Sequence, residues 1–219
     1  MSIKVALNHR TTYSYDRLVD HAPHVVRLRP APHTRTKIVS YTQNILPESA
    51  FVNWQQDPFS NYLARLVFPE RTKKFEVEID LIVDLEAINP FDFFLDEAAK
   101  DPAFSYDKTS KEELRAYLGK PKMTPLLKAF VKASPKPQGT TIDYMVQLNQ
   151  YVQETVGYIV RMEPGVQTPE KTLQRGKGSC RDSAWLLIAL MRELGFAARF
   201  VSGYLIQLAP DMKSLDGPS

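Results

Sequence analysis

Apolar and polar positions alternate along the first part of the chain. Phe75, Val77, Ile79, Leu81, Val83 and Leu85 fall on one parity, and Lys74, Glu76, Glu78, Asp80, Asp84 and Glu86 on the other. Successive strand side chains point to opposite faces, so this stretch predicts a strand with one buried and one wet face. The first run behaves the same way, with Ile3, Val5, Leu7, Thr11, Tyr13 and Tyr15 set against Lys4, Asn8, Arg10 and Ser14. Further strands are expected over 25–28, 37–46, 51–56 and 62–68, with Asp57-Pro58-Phe59-Ser60-Asn61 as turn chemistry between the last two. About six strands with short turns predict an antiparallel β-sandwich-like module.

Beyond Asn89-Pro90 the alternation stops. Ser110–Leu118 reads as a helix with Ser110 as N-cap and Glu113 three residues on, and 123–133 as another. Ser134-Pro135-Lys136-Pro137-Gln138-Gly139 reads as a connector with a domain boundary in or near it. From 140 the spacing turns helical through Ile142, Met145, Val146, Asn149, Val152 and Val156. A short helix is expected from Thr168, with Pro169 in its first turn and Glu170 beside its positive end. Gly176-Lys177-Gly178-Ser179-Cys180-Arg181-Asp182 then leads into a helix that runs through Leu194 and stops at Gly195. A strand is expected over Ala197–Leu208, with Ala198, Phe200, Tyr204, Ile206 and Leu208 on one face. The fold class is α+β, divided into a β module (1–95), a mixed helical connector (96–139) and a second core (140–219).

Composition narrows the function classes. At 219 residues, 43% hydrophobic and 24% charged, the chain has the profile of a globular protein of one large or two ordinary domains. The net charge is only +3, and no basic stretch is interleaved with aromatics, which argues against a nucleic-acid partner. Apolar runs are too short to span a bilayer, and the N-terminus lacks the apolar core of a signal peptide. No membrane partner and a cytoplasmic location are therefore expected. Cys180 is the one cysteine, so no intrachain disulfide can form, which fits a reducing compartment.

That cysteine is also the main candidate for chemistry. Gly176 and Gly178 allow a tight turn and close approach, and Ser179 with Asp182 three residues on forms a capping-box variant. Cys180 then takes the first helical position, where unpaired N–H groups and the helix dipole favour a thiolate. Lys177 and Arg181 add positive charge, and the Cys180 N–H is free to serve an oxyanion. The opposing reading is a small buried hydrophobe, which is what a lone cysteine usually is. A phosphate loop does not fit, because no Gly-x-x-x-x-Gly-Lys-Ser/Thr pattern is present. The four histidines, His9, His21, His24 and His33, all lie in the β module. The three-residue spacing of His21 and His24 hints at a metal pair, but without a cysteine or carboxylate cluster nearby they read as surface or turn histidines. Arg161 and Glu163 either line a cleft or pair at the surface. Trp185 and Tyr204 read as core.

The segments Arg161-Met162-Glu163-Pro164-Gly165-Val166-Gln167-Thr168-Pro169-Glu170, Gly178-Ser179-Cys180-Arg181-Asp182-Ser183-Ala184-Trp185 and Leu194-Gly195-Phe196-Ala197-Ala198-Arg199-Phe200-Val201-Ser202-Gly203-Tyr204 together resemble the core of bacterial transglutaminase-like proteins, which is related to papain-like cysteine enzymes. Tyr13-Ser14-Tyr15, Val26-Arg27-Leu28-Arg29-Pro30 and Asp57-x-x-x-Asn61 are similar to the N-terminal region that precedes this core. Ser60 departs from it, standing where that region commonly has glycine. The resemblance implies a papain-like α+β core carrying the nucleophile half of a cysteine site. Cys180 is its catalytic residue, and Gly178, Ser179, Arg181 and Asp182 shape the site or its oxyanion pocket. It implies acyl transfer or amide hydrolysis through a thioester, with a protein or peptide substrate, water or a small amine as acceptor, and neither metal nor organic cofactor. The family's catalytic His and Asp follow on later strands, whereas no histidine here lies after His33. The expectation is therefore an incomplete core that is inactive by itself. The alternative is a non-catalytic interaction protein, a binding sandwich joined to a degenerate scaffold.

Overall fold

In the computed structural model, residues 2–86 and 88–206 are described. The chain forms two compact units, Met1–Phe93 and Phe94–Ser219. The connector and the second core therefore lie in one unit.

The first unit is all strand. Its sheets have the orders β1-β6-β3 and β2-β5-β4, every pairing antiparallel. The strands are β1 (Ser2–Val19), β2 (His24–Val26), β3 (Lys37–Leu46), β4 (Phe51–Gln56), β5 (Tyr62–Val67) and β6 (Thr72–Glu86). The alternation of β6 survives intact: Phe75, Val77, Ile79, Leu81 and Val83 are buried while the acidic parity meets β1 at the surface. There Arg10 pairs with Glu78, and Asn8 donates to Asp80 at 2.7 Å. Ile3 and Tyr13 of β1 stay about half exposed, so the burial lies mostly on the central strand. A Tyr41–Trp54 ring contact, centroids 6.2 Å apart, links β3 to β4 across the two sheets.

The second unit is helical: α1 (Lys108–Glu113), α2 (Arg115–Leu118), α3 (Pro125–Ala133), α4 (Thr141–Thr155), α5 (Pro169–Arg175) and α6 (Cys180–Glu193). A two-residue parallel pair, β7 (Gly157–Tyr158) with β8 (Lys177–Gly178), joins α4 to the entry of α6. Leu127 and Phe130 of α3, Tyr144, Leu148 and Val152 of α4, Leu186, Ala189 and Leu190 of α6, and Phe196 share one buried cluster. α3 thus belongs to the same core as α4 and α6, and Tyr144 closes the 134–139 connector onto it by donating its hydroxyl to Pro135 O at 3.1 Å.

Three local expectations change. The first helix is capped by Asp107, which accepts Ser110 N–H at 3.0 Å, and not by Ser110. A carboxylate three residues before Ser110 already satisfies the free N–H groups, so the helix starts earlier. The buried stripe of α4 is Thr141, Tyr144, Leu148 and Val152, one position round from the expected set, and Val146 and Asn149 are exposed. Tyr144 supplies more apolar area than Val146 and takes the core position. Residues 197–206 form no strand ladder; Gln207 and Leu208 lie outside the described residues. The expected parity is nonetheless visible, since Val201 and Leu205 are each 73% exposed while Ala198, Phe200, Tyr204 and Ile206 are partly buried. Alternation gives faces, but a strand also needs a partner, and no described residue supplies one.

Candidate active site

α6 begins where the sequence pattern places it. α5 ends at Gly176, whose φ of 59° is the left-handed conformation that glycine adopts without strain. Gly157 N–H donates to Gly176 O and Ile159 N–H to Gly178 O, both at 2.9 Å, which fixes the approach to the helix. Ser179 is the N-cap and Asp182 the third helical residue. Cys180 is therefore the first residue of α6, and it is exposed. This rules out the buried-hydrophobe reading.

Two residues on from Cys180, α6 carries a carboxylate with no solvent exposure. Asp182 Oδ2 accepts from Ser179 N–H and Ser179 Oγ, each at 2.8 Å. Arg161 grips the same carboxylate with two bonds, Nε to Oδ2 at 2.8 Å and Nη2 to Oδ1 at 2.9 Å. Gln167 adds its backbone N–H to Oδ1 at 2.8 Å and its side-chain amide to Oδ2 at 3.0 Å. Burial alone would push this carboxyl upward. The Arg161 guanidinium, then the Gln167 and Ser179 donors, outweigh burial and hold it far below the usual carboxylate range. The charge matters for Cys180, because an unpaired carboxylate in the first turn would oppose a thiolate; Arg161 neutralises it.

The same bonds hold the 159–168 loop against the helix. Arg161 Nη2 donates to Gly165 O at 2.7 Å, and Arg181 Nη2 returns from α6 to Arg161 O at 3.0 Å and Glu163 O at 2.9 Å. Val160, Met162 and Val166 stand exposed on this loop. Gly178 has a specific reason to be glycine: a Cβ there would sit 2.8 Å from Asp182 Cβ. The close approach is thus made by the capping carboxylate.

All five singled-out residues, Gly178, Ser179, Cys180, Arg181 and Asp182, therefore meet at one helix start. Two further residues are needed, Arg161 and Gln167. Arg161 was read as cleft-lining or surface-paired; its contact with Glu163 is a long 3.8 Å, and its main partner is the buried Asp182. The signal available in the sequence was indirect: a buried first-turn carboxylate calls for a cation, but nothing local says which one. Glu170 also does more than sit in the first turn of α5. Its carboxylate accepts Leu126 N–H at 3.2 Å, Leu127 N–H at 3.3 Å and the Thr124 hydroxyl, so it caps α3 as well.

His21 and His24 do not form a metal site with neighbouring ligands. Their rings lie 5.7 Å apart, edge to face, and each is tilted against a phenylalanine, His21 on Phe68 and His24 on Phe75. Among the described residues no group of three or more His, Cys, Asp or Glu is placed to hold a metal, and no helix is long and apolar enough to cross a membrane.

The comparisons with known proteins fall on both units. Residues 5–84 match the bacterial transglutaminase-like N-terminal region, and residues 128–214 match the transglutaminase-like superfamily. Each part of the chain is thus similar to a transglutaminase-like family. Uncharacterized proteins of Mycobacterium tuberculosis and Mycobacterium bovis are 25% identical to it over 221 residues, covering 94% of this chain and 67% of theirs. The crystal structure described as "a Putative Cysteine Protease from Cytophaga hutchinsonii" superposes with a TM-score of 0.59 at 19% identity, over 89% of this chain. The chain spans 64% of the length of that structure. That likeness is one of fold, and at 89% of the chain it reaches into both units.

Proposed function

We propose that Cys180 is the nucleophile of an acyl transfer on a carboxamide or peptide carbonyl. The observation that carries this reading is the exposed thiol at the first position of α6, a helix start whose capping carboxylate is fully buried and neutralised. The thiolate attacks the carbonyl carbon and an S–C bond forms. The tetrahedral oxyanion meets the Cys180 N–H, which has no carbonyl partner within the helix. Collapse breaks the C–N bond, and ammonia or an amine leaves with the proton taken from the thiol. Water or a second amine then attacks the thioester carbon and releases the thiolate. Gly178, Ser179, Arg181 and Asp182 shape the site, and Arg161 and Gln167 are positioning residues acting through Asp182. Protein or peptide is the substrate class, and Met162 and Val166 offer it apolar surface on the loop bonded to Arg181.

The proton carrier is an imidazole. Residues 128–214 match the family core and contain no histidine, so this imidazole comes from outside that stretch. The test measures ammonia release from a glutamine-containing peptide, with and without an added amine. It compares this chain, the chain continued through whatever its coding sequence specifies after Ser219, and Cys180→Ala in the active form. Activity only in the continued chain and lost in Cys180→Ala supports the reading. Activity kept in Cys180→Ala refutes it, and equal activity in both lengths places the imidazole among His9, His21, His24 and His33.

A further inference from the structure

Val26-Arg27-Leu28-Arg29-Pro30 plays no part in the proposed chemistry, yet its two arginines have different fates. Arg27 has a carboxylate within electrostatic reach, Asp57. Arg29 has none. Its guanidinium carbon lies 4.4 Å from the Tyr62 ring centroid, 5.2 Å from that of Trp54 and 5.5 Å from that of Tyr41. Among the described residues Arg29 makes no ion pair and donates to no side chain or carbonyl. A guanidinium carries five N–H donors, and contact with aromatic faces leaves its edge open to an oxyanion. The three rings belong to β3, β4 and β5, so the cation is held by both sheets.

Arg29 lines a cavity of about 440 Å³ together with Pro30, Pro32, Lys37, Tyr41 and Tyr62. No lining residue is acidic. Lys37, the other cation of the lining, stands opposite Asp84 in the β3–β6 register. The volume falls in the range of sites that enclose a ligand, well beyond a lone carboxylate. Proline and tyrosine surface beside the cation would remain uncovered by a free small anion. We propose that this cavity binds an acidic peptide segment, with a Glu or Asp carboxylate on the Arg29 edge and neighbouring apolar side chains against Pro30, Pro32 and the tyrosine rings. The proposal is independent of Cys180.

A purely structural Arg29 that only cements the two sheets is the competing account, and Arg29→Met separates the two. Methionine keeps apolar bulk between the rings and removes the charge. The probes are N-acetyl-Glu-Pro-Glu-Pro-amide, its Gln-Pro-Gln-Pro counterpart, succinate and inorganic phosphate, titrated into the isotope-labelled chain while the Arg29 side-chain and tyrosine ring signals are followed. The expected result is saturable shifts with the acidic peptide only. Arg29→Met, melting like the parent, should bind it about tenfold or more weakly. Equal binding of the glutamine peptide would make the cavity a purely apolar groove and overturn the proposal. Equal binding of succinate or phosphate would overturn the peptide source, and unchanged binding by Arg29→Met would remove Arg29 from the site. Should Arg29→Met lose its fold, Arg29→Lys gives the same reading, since a point charge keeps the net charge but not the bidentate edge.

Discussion

Each unit contains a loop organised by one aspartate, and the two aspartates work differently. Asp57 accepts Phe59 and Asn61 N–H at 2.9 Å each, and Asn61 returns its amide to Oδ2 at 3.0 Å. Every hydrogen-bond partner lies within four residues, and the turn is at the surface. Asp182 is fully buried, and its partners come from 3, 15 and 21 residues away. The first arrangement shapes a hairpin. The second ties α6, the 159–168 loop and the thiol at Cys180 into one assembly. The difference teaches that a local carboxylate sets backbone shape, while a buried and remote one sets the relation between elements.

The sharpest break of this comparison is Asp182→Ala against Asp57→Ala. Removing Asp182 leaves Arg161 buried with its charge uncompensated, a change of about 3–5 kcal/mol. Urea unfolding followed in the helical unit should show it, with Asp57→Ala causing a much smaller shift confined to the β unit. Similar shifts for the two would mean that burial and reach do not distinguish the two aspartates.

Gly178→Ala acts on the same assembly more gently. The new Cβ meets Asp182 Cβ at 2.8 Å, so the carboxylate or the β7–β8 pair must give way. An overpacking cost of about 1–3 kcal/mol is expected, together with slower alkylation of Cys180. A chain of parental stability and parental thiol reactivity would show that the tight approach is dispensable.

Acid gives the smallest contrast. Asp182 is held below its unfolded value by Arg161, Gln167 and Ser179. Its stabilisation is therefore complete above the ordinary carboxylate range and is lost as pH falls toward its lower folded value. Asp57 is also lowered, first by the Asn61 side chain, so both units lose stability on acidification. Between about pH 5 and pH 3 the helical unit should lose more, and Asp182→Asn should flatten that slope while Asp57→Asn leaves it in place. Intrinsic fluorescence and amide exchange of each unit would read the two slopes separately.

The same contrast explains what was legible in the sequence. The six strands of the first unit, the Asp57 turn and the Ser179 cap depend on period-two alternation and on partners within a few residues, and they stand where the pattern places them. Ser60 shows the limit of such reading: its φ of 64° is a left-handed position suited to glycine, which explains why the similar N-terminal region commonly has glycine there, and nothing in the structure explains the serine. The Arg161–Asp182 pair was not legible, because 21 residues of loop and helix separate its members and only the fold brings them together. The buried face of α4 was legible only in part: Val152 and Val156 are in the core as expected, but Tyr144 and Val146 both offered an apolar position and Tyr144 packs against Phe196. The parity of 197–206 could be read, but its lack of a ladder could not, since pairing belongs to the partner and not to the segment.

The central claim is that folding brings Cys180 to an exposed, carboxylate-neutralised helix start that makes its thiol a nucleophile. The most direct test is the rate of iodoacetamide alkylation at Cys180 near pH 7, compared between the folded chain and the same chain unfolded in urea. Because Cys180 is the one cysteine, mass spectrometry reads it without ambiguity. The account predicts faster alkylation in the folded chain, and loss of that advantage in Arg161→Met, which leaves the Asp182 charge unopposed. Alkylation in the folded chain at or below the unfolded rate would contradict it.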